Sequence, residues 1–174
     1  MATRGIDFAS LSLMDALDLA ILVEEEAQER YEEFAAQMDQ HRTPEAAKFF
    51  RFMAENESKH GLELSARRAQ RFSDAPRLVS RTMIFDIEAP DYDAARAFMS
   101  PRKAMAAALA SEVKAHAFFV AALPALKDAE VRSLFEELRD EEIEHQDLVK
   151  AELAKLPLDS GLSDEDFVDE PAPQ

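Results

Sequence analysis

The sequence of 174 residues contains no cysteine and only three glycines. Without cysteine, the chain can form no disulfide bond, thiolate nucleophile, zinc ribbon or thiolate-ligated iron–sulfur cluster. Any bound metal must therefore be held by oxygen and nitrogen atoms. The scarcity of glycine, in a chain with abundant Ala, Leu and Glu, favours long helices over turn-rich sheets.

Basic side chains are also scarce, since 20 Lys and Arg residues face 36 Asp and Glu residues and give a net charge of −16. This balance argues against nucleic acid or an anionic membrane as a partner, because both bind basic surfaces. The apolar runs fall short of the roughly 20 residues of a membrane span, and residues 1–10 contain no hydrophobic signal core. We therefore expect a cytoplasmic protein that attracts cations.

Cap residues and prolines predict four long helices. They are expected over about Ser12 to Gln40, Thr43 to Phe72, Ser100 to Leu123 and Asp128 to Leu156. The fold class is therefore all-α, an antiparallel four-helix bundle with a long crossover between the second and third helices. A short helix near Asp91 to Phe98 is expected within this crossover. The segment Thr82 to Ile87 resembles a strand in composition, but a single strand has no partner.

The predicted bundle domain covers residues 1–157. Residues 158–174 contain six acidic residues and no basic residue. Such a composition predicts an acidic flexible tail.

Each predicted helix has an apolar seam in steps of three and four residues, and each seam is interrupted by metal-binding side chains. Glu24 interrupts the first seam and Glu112 the third. The second and fourth seams contain Glu-x-x-His motifs, and three-residue spacing places both side chains of a motif on one helix face. The four helices thus form two copies of one hairpin.

The four seam glutamates lie near the middle of their helices, where an antiparallel bundle brings residues into one layer. Four buried carboxylates would repel one another strongly. Two divalent cations would cancel this charge, and the oxygen and nitrogen donors suit iron or manganese. The alternative is a polar layer that fixes helix register without a metal.

With these motifs, the sequence from about Leu13 to Leu156 resembles the rubrerythrin branch of the ferritin-like superfamily. The metal ligands that this resemblance implies are Glu24, Glu57, His60, Glu112, Glu142 and His145. By resemblance, Glu24 and Glu112 are the ligands from the first and third helices. The glutamates of the two motifs bridge or chelate the ions, and each histidine binds one iron ion.

The resemblance also implies reduction of H2O2 or O2, coupled to oxidation of ferrous iron or an external electron donor. The cofactor would be two iron ions, with manganese or a mixed pair as alternatives. Because Ser58 stands where bacterioferritin has a haem-ligating Met, we expect no haem. Ala115 stands where rubrerythrins commonly have a second carboxylate. The competing hypotheses are an iron-handling protein with little turnover, a diiron oxygenase of an organic substrate and a metal-free interaction module.

The remaining polar residues receive simpler interpretations. Five surplus acids are expected on a solvated face, where one could take up ferrous ions: Glu25, Glu26, Glu55, Glu141 and Glu144. Tyr31 is interpreted as core packing, and His116 as a partly buried, hydrogen-bonded histidine rather than a ligand. An apolar outer stripe on the paired helices predicts a homodimer.

Overall fold

The computed structural model describes residues 6–40, 42–84 and 100–157, and within these ranges the regular structure is helical. The helices are α1 (Leu13–Gln40), α2 (Pro44–Phe72), α3 (Arg81–Ile84), α4 (Pro101–Ala122) and α5 (Ala129–Leu153). A 3₁₀ turn, Leu123–Ala125, follows α4. The four long helices pack in pairs, α1 with α2 and α4 with α5. The predicted all-α four-helix bundle is confirmed.

Three of the predicted caps hold the helix starts. The Ser12 hydroxyl accepts a hydrogen bond from the Asp15 amide at 3.2 Å, and the Ser100 hydroxyl accepts one from the Lys103 amide at 3.2 Å. Asp128 accepts hydrogen bonds from two amides of the first turn of α5. These bonds satisfy amides that have no partner inside a helix.

Thr43 differs from the prediction, because it precedes α2 but makes no side-chain cap. Its hydroxyl instead donates to the Met38 carbonyl at 2.9 Å. Arg42 reverses the chain here with a φ of 56°, which turns the Thr43 side chain back towards α1. The Thr43 amide also donates to the Met38 carbonyl, at 2.9 Å, so Thr43 caps the end of α1 rather than the start of α2.

The crossover between α2 and α4 runs over residues 73–100. Its described part contains α3, so the strand-like residues from Thr82 to Ile84 are helical and not extended. The short helix predicted near Asp91 to Phe98 and the tail of residues 158–174 lie outside the described residues. The division into a bundle and a tail stays a prediction.

Two apolar clusters fill the bundle, one towards each end. The first joins the start of α1 to the end of α4 and the start of α5, with Leu17, Phe119 and Phe135 fully buried. The second joins the end of α1 to the start of α2 and of α4, and it includes Phe34 and Phe50. The six predicted ligands occupy sequence positions between the two clusters on every long helix.

The segment Pro101–Ala125 is long and apolar enough to cross a membrane by length and composition, with a mean hydropathy of 1.4. The expectation that no run approaches a membrane span is therefore wrong for this segment. Its buried residues include Met105 and Phe119, which belong to the two apolar clusters. A core helix of a bundle satisfies the same criterion, and the absence of a membrane partner stays a prediction.

Candidate metal centre

The six predicted ligands come together in the middle of the bundle. Five of them are more than nine-tenths buried: Glu24, Glu57, Glu112, Glu142 and His145. The sixth, His60, is partly buried, with 26% of its side chain exposed. Ionisable side chains are seldom buried this deeply without partners or a metal. The layer between the two apolar clusters is therefore polar and largely shielded from solvent.

Ligand-capable atoms in this layer fall into three groups, within each of which they lie within 4.8 Å of one another. The first group combines Glu112, Glu142 and His145, and the second combines Glu57 with His60 and His145. The third combines Glu24, His60 and Glu141. Because the second group shares a histidine with each of the others, the three groups form one continuous Glu/His centre.

Three contacts between histidine nitrogens and carboxylate oxygens in the centre do not form hydrogen bonds. Nδ1 of His145 lies 3.4 Å from Oε1 of Glu57 and 3.5 Å from Oε2 of Glu112. Nδ1 of His60 lies 3.9 Å from Oε2 of Glu24. Three of these atoms are buried and have no hydrogen-bond partner within the described part of the chain: Nδ1 of His60, Nδ1 of His145 and Oε2 of Glu112.

These three orphaned atoms, which are buried and have no hydrogen-bond partner, show whether the residues of the centre fit a metal. Leaving a buried polar atom unpaired costs about 1 to 3 kcal/mol, and three such atoms meet in one layer. Carboxylate oxygens and imidazole nitrogens are also the donors that divalent iron and manganese accept. The buried clusters are consistent with a diiron site, because a pair of cations would satisfy the orphaned atoms and neutralise the carboxylates.

Tyr31 supports the centre from α1. It is 3% exposed, and its hydroxyl donates a hydrogen bond to Oε1 of Glu112. The ring stacks against Phe50, with centroids 6.0 Å apart and an interplanar angle of 24°. The sequence interpretation of Tyr31 as core packing was therefore incomplete, because the hydroxyl fixes the orientation of a predicted ligand.

Burial shifts the pKa values of the centre in the metal-free protein. It raises the pKa of Glu24 from 4.5 to about 7, with the charges of Glu141 and Glu112 adding to a rise that outweighs a hydrogen bond with Glu57. Burial lowers the pKa of His60, as does the charge of His145. Burial also acts to lower the pKa of His145, but the carboxylates of Glu112 and Glu24 raise it overall. Protons therefore compensate part of the buried charge when no metal is bound.

Glu141 is the member of the centre that sequence reasoning missed. The prediction of a solvated position is wrong for this residue, because it is half-buried and its carboxylate lies beside Glu24 and His60. The signal was present, since Glu141 follows Leu138 by three residues and precedes His145 by four. The periodicity of the sequence assigns one inward-facing residue to each helical turn. It selects Glu142 for this turn and therefore does not include Glu141.

The structure also places three other positions near the centre. His116 is partly buried and belongs to none of the three ligand groups found among the described residues. Ala115 is fully buried, so its position supplies an apolar wall and no ligand. Gly61 does not interrupt α2, which runs unbroken from Pro44 to Phe72.

Comparisons with known proteins agree with this geometry. A protein-family model described as Rubrerythrin matches residues 15–153. The crystal structure of an uncharacterised conserved protein from Magnetospirillum magnetotacticum MS-1 is similar, with a TM-score of 0.72 and 29% sequence identity. The similarity covers 86% of this chain and 99% of that chain. A search of curated proteins found no match.

Proposed function

The chain belongs to the rubrerythrin family, and from this premise we propose that it is a diiron oxidoreductase. The proposed reaction is the reduction of H2O2 or O2, coupled to the oxidation of ferrous iron or an external electron donor. The observation that carries the proposal is the continuous Glu/His centre, with its three orphaned atoms, between the two apolar clusters.

The proposed ligands divide into two positions joined by shared carboxylates. Glu24 and His60 belong to one position, and Glu112 and His145 to the other. Glu57 suits a shared role because its carboxylate groups with both histidines. Glu142 is assigned the second shared role by resemblance to the family. The four seam glutamates together carry a charge that two divalent ions balance.

When bound, an iron pair would supply two electrons to an O–O bond, and reduction of H2O2 to two water molecules also consumes two protons. The chain contributes the geometry of the site, because Tyr31 holds Glu112 in one orientation through its hydrogen bond. The apolar clusters on both sides restrict water around the site.

A small cavity beside Glu112 supports the proposal that the substrate is a small molecule. It lies between α1 and α4, with Tyr31, Phe34 and Ser111 in its wall, and leaves about 10 Å³ for a water-sized molecule. This space accommodates about one water molecule. The cavity is therefore too small for an organic substrate, which favours the smaller oxidants. The absence of cysteine means that this chain has no rubredoxin-type iron site, so electrons must come from another molecule or from the iron.

The proposal is tested by loading the purified, metal-stripped protein with Fe²⁺ under anaerobic conditions. About two iron ions per chain should bind, and added H2O2 should oxidise both rapidly. With a supplied reductant, peroxide consumption should then continue over many turnovers. Glu142→Ala should lose this activity, whereas Glu144→Ala, at an exposed position one residue before His145, should keep it.

Each alternative outcome has a distinct meaning. Binding of one iron ion or none per chain would overturn the diiron assignment. Binding of two ions without sustained peroxide consumption would assign the chain to iron handling instead. Product formation from an organic compound only, with no peroxide turnover, would indicate an oxygenase. The cytoplasmic location and the homodimer stay predictions.

A further inference from the structure

The two metal positions differ in their exposure to solvent. The residues of the group Glu112, Glu142 and His145 are all more than nine-tenths buried. On the other side, Glu24 is buried, but His60 and Glu141 are only partly buried. The side of the centre formed by Glu24, His60 and Glu141 is therefore its solvent-facing side.

Glu141 has the chemistry and the position of a ligand on this side. A carboxylate oxygen of Glu141 lies within 4.8 Å of ligand-capable atoms of both Glu24 and His60. Independently, Nδ1 of His60 is a buried atom without a hydrogen-bond partner among the described residues. His145, with 6% of its side chain exposed, likewise presents an unpartnered Nδ1 to the same centre. Both nitrogens can therefore bind a cation in this centre.

The surroundings of Glu141 are negatively charged. The charged groups that act most strongly on it are the carboxylates of Glu137, Glu144 and Glu63, together with the imidazole of His145. Glu137 and Glu144 are exposed, and Nη1 of Arg67 lies 2.9 Å from the carboxylate of Glu137 and offsets part of its charge. Carboxylates of this kind attract divalent cations and raise their local concentration. A cation arriving from solvent on this side would meet Glu141 before the more deeply buried Glu24.

We propose that Glu141 is a seventh ligand of the metal centre, at the position of Glu24 and His60, and that it receives ferrous ions arriving from solvent. This inference rests on the proposed function, because it requires the two-metal centre. It adds to that function the solvent-facing position and the residue by which iron is taken up.

The test is a titration of the full-length, metal-stripped protein with Co²⁺, which is a spectroscopic substitute for Fe²⁺. The wild-type protein should bind two Co²⁺ per chain. Glu141→Gln and Glu141→Ala should weaken one of the two positions by about tenfold or more and alter the visible absorption of the Co²⁺ at that position. The matched control, Glu144→Ala, should stay within about twofold of wild type, because it removes an equal charge nearby but no ligand atom.

Uptake kinetics give a second measurement. Anaerobic mixing with Fe²⁺ should show slower filling of one position in Glu141→Gln, by about tenfold, and a change of no more than about twofold in Glu144→Ala, which removes one attracting charge but no ligand atom. Glu141→Gln keeps the size of the side chain, so it serves if the alanine variant does not fold, as checked by circular dichroism.

The outcomes separate the two proposals. If wild type binds two ions and the Glu141 variants match it in affinity and absorption, the role of Glu141 is overturned and the diiron proposal stands. Equal weakening of both positions would also overturn it, since that result indicates a general loss of charge. If wild type binds no Co²⁺ and no Fe²⁺, both proposals fail.

Discussion

The imidazole rings of His60 and His145 lie parallel, with centroids 5.3 Å apart and an interplanar angle of 6°. They come from α2 and α5, one from each helical pair. The two Glu-x-x-His motifs, separated by 85 positions in the sequence, thus meet face to face across the bundle. The internal repeat of the sequence is therefore also a pairing of equivalent side chains in space.

This pairing predicts that each histidine controls one metal position. His145→Ala should reduce bound Co²⁺ from two ions per chain to one, because its Nδ1 has no replacement near Glu57 and Glu112. Metal analysis after equilibrium dialysis measures the stoichiometry. His116→Ala is the control, since His116 lies in none of the ligand groups among the described residues, and it should keep both ions. Two tightly bound ions in His145→Ala would refute the assignment.

The metal-free protein should become less stable as the pH rises from about 5 to about 7.5. Burial raises the pKa values of Glu24 and Glu141 from 4.5 to about 7. Within this window the folded protein therefore holds protons that the unfolded chain has released, and the free energy of unfolding falls as the pH rises. The raised pKa of His145 acts in the same direction, whereas the lowered pKa of His60 opposes it.

Urea denaturation at several pH values, in the presence of a chelator, measures this dependence. Glu24→Gln should flatten the slope, because an amide does not titrate. Saturating Co²⁺ should stabilise the protein more at pH 7.5 than at pH 5, since metal binding displaces the protons. A metal-free stability that rises through the whole window would contradict the raised carboxyl pKa values.

Gly61 lies within α2, next to the metal centre, and should tolerate a methyl group. A Cβ added at Gly61 would lie 3.5 Å from Cβ of Glu24, which is ordinary van der Waals contact. Glycine inside a helix is less favourable than alanine by about 0.8 to 1 kcal/mol. Gly61→Ala should therefore raise the free energy of unfolding by about 0.5 to 1 kcal/mol in urea titrations.

The same variant tests how closely α1 and α2 must approach at the centre. Gly61→Ala should still bind two Co²⁺ per chain, because the added atom requires no shift of Glu24. Gly61→Val places further methyl groups near Glu24 and should weaken binding. Loss of a metal position in the alanine variant would mean that the glycine is required for the approach itself.

Most of the fold could be predicted because its signals are local. Ser12 and Asp128 mark the starts of helices, because their side chains accept hydrogen bonds from amides a few residues away. The seam positions of Glu24 and Glu142 follow from a periodicity that needs only the helix repeat. A residue next to a seam position can also face the core. Whether it does so depends on how the helix is rotated about its own axis relative to its partners. Periodicity does not fix that rotation, and Glu141 was missed for this reason.

Long-range polar pairs were beyond prediction for a related reason. Asp18 is fully buried, and its partner Arg68 lies 50 positions away on α2. Nothing in the local pattern of either helix distinguishes Arg68 from its neighbours Arg67, which is partly exposed, and Arg71, which is exposed. The pairing exists because the antiparallel arrangement of α1 and α2 brings these positions together, and it becomes visible only once that arrangement is known.

The Asp18–Arg68 pair yields the largest expected change in stability. Nη2 of Arg68 donates to Oδ2 of Asp18 at 3.1 Å and to the Ala75 carbonyl at 2.8 Å, so it joins α1, α2 and the start of the crossover. Arg68→Met would leave the Asp18 carboxylate buried, with the partly exposed Arg77 at 3.6 Å as the remaining ion-pair partner among the described residues. Removing one partner of a buried ion pair costs about 3 to 5 kcal/mol, and urea denaturation should show a loss of that order. The double variant Asp18→Leu with Arg68→Met should recover much of it, because no charge is then buried alone. A single-variant cost below about 1 kcal/mol would show that water or Arg77 already compensates Asp18.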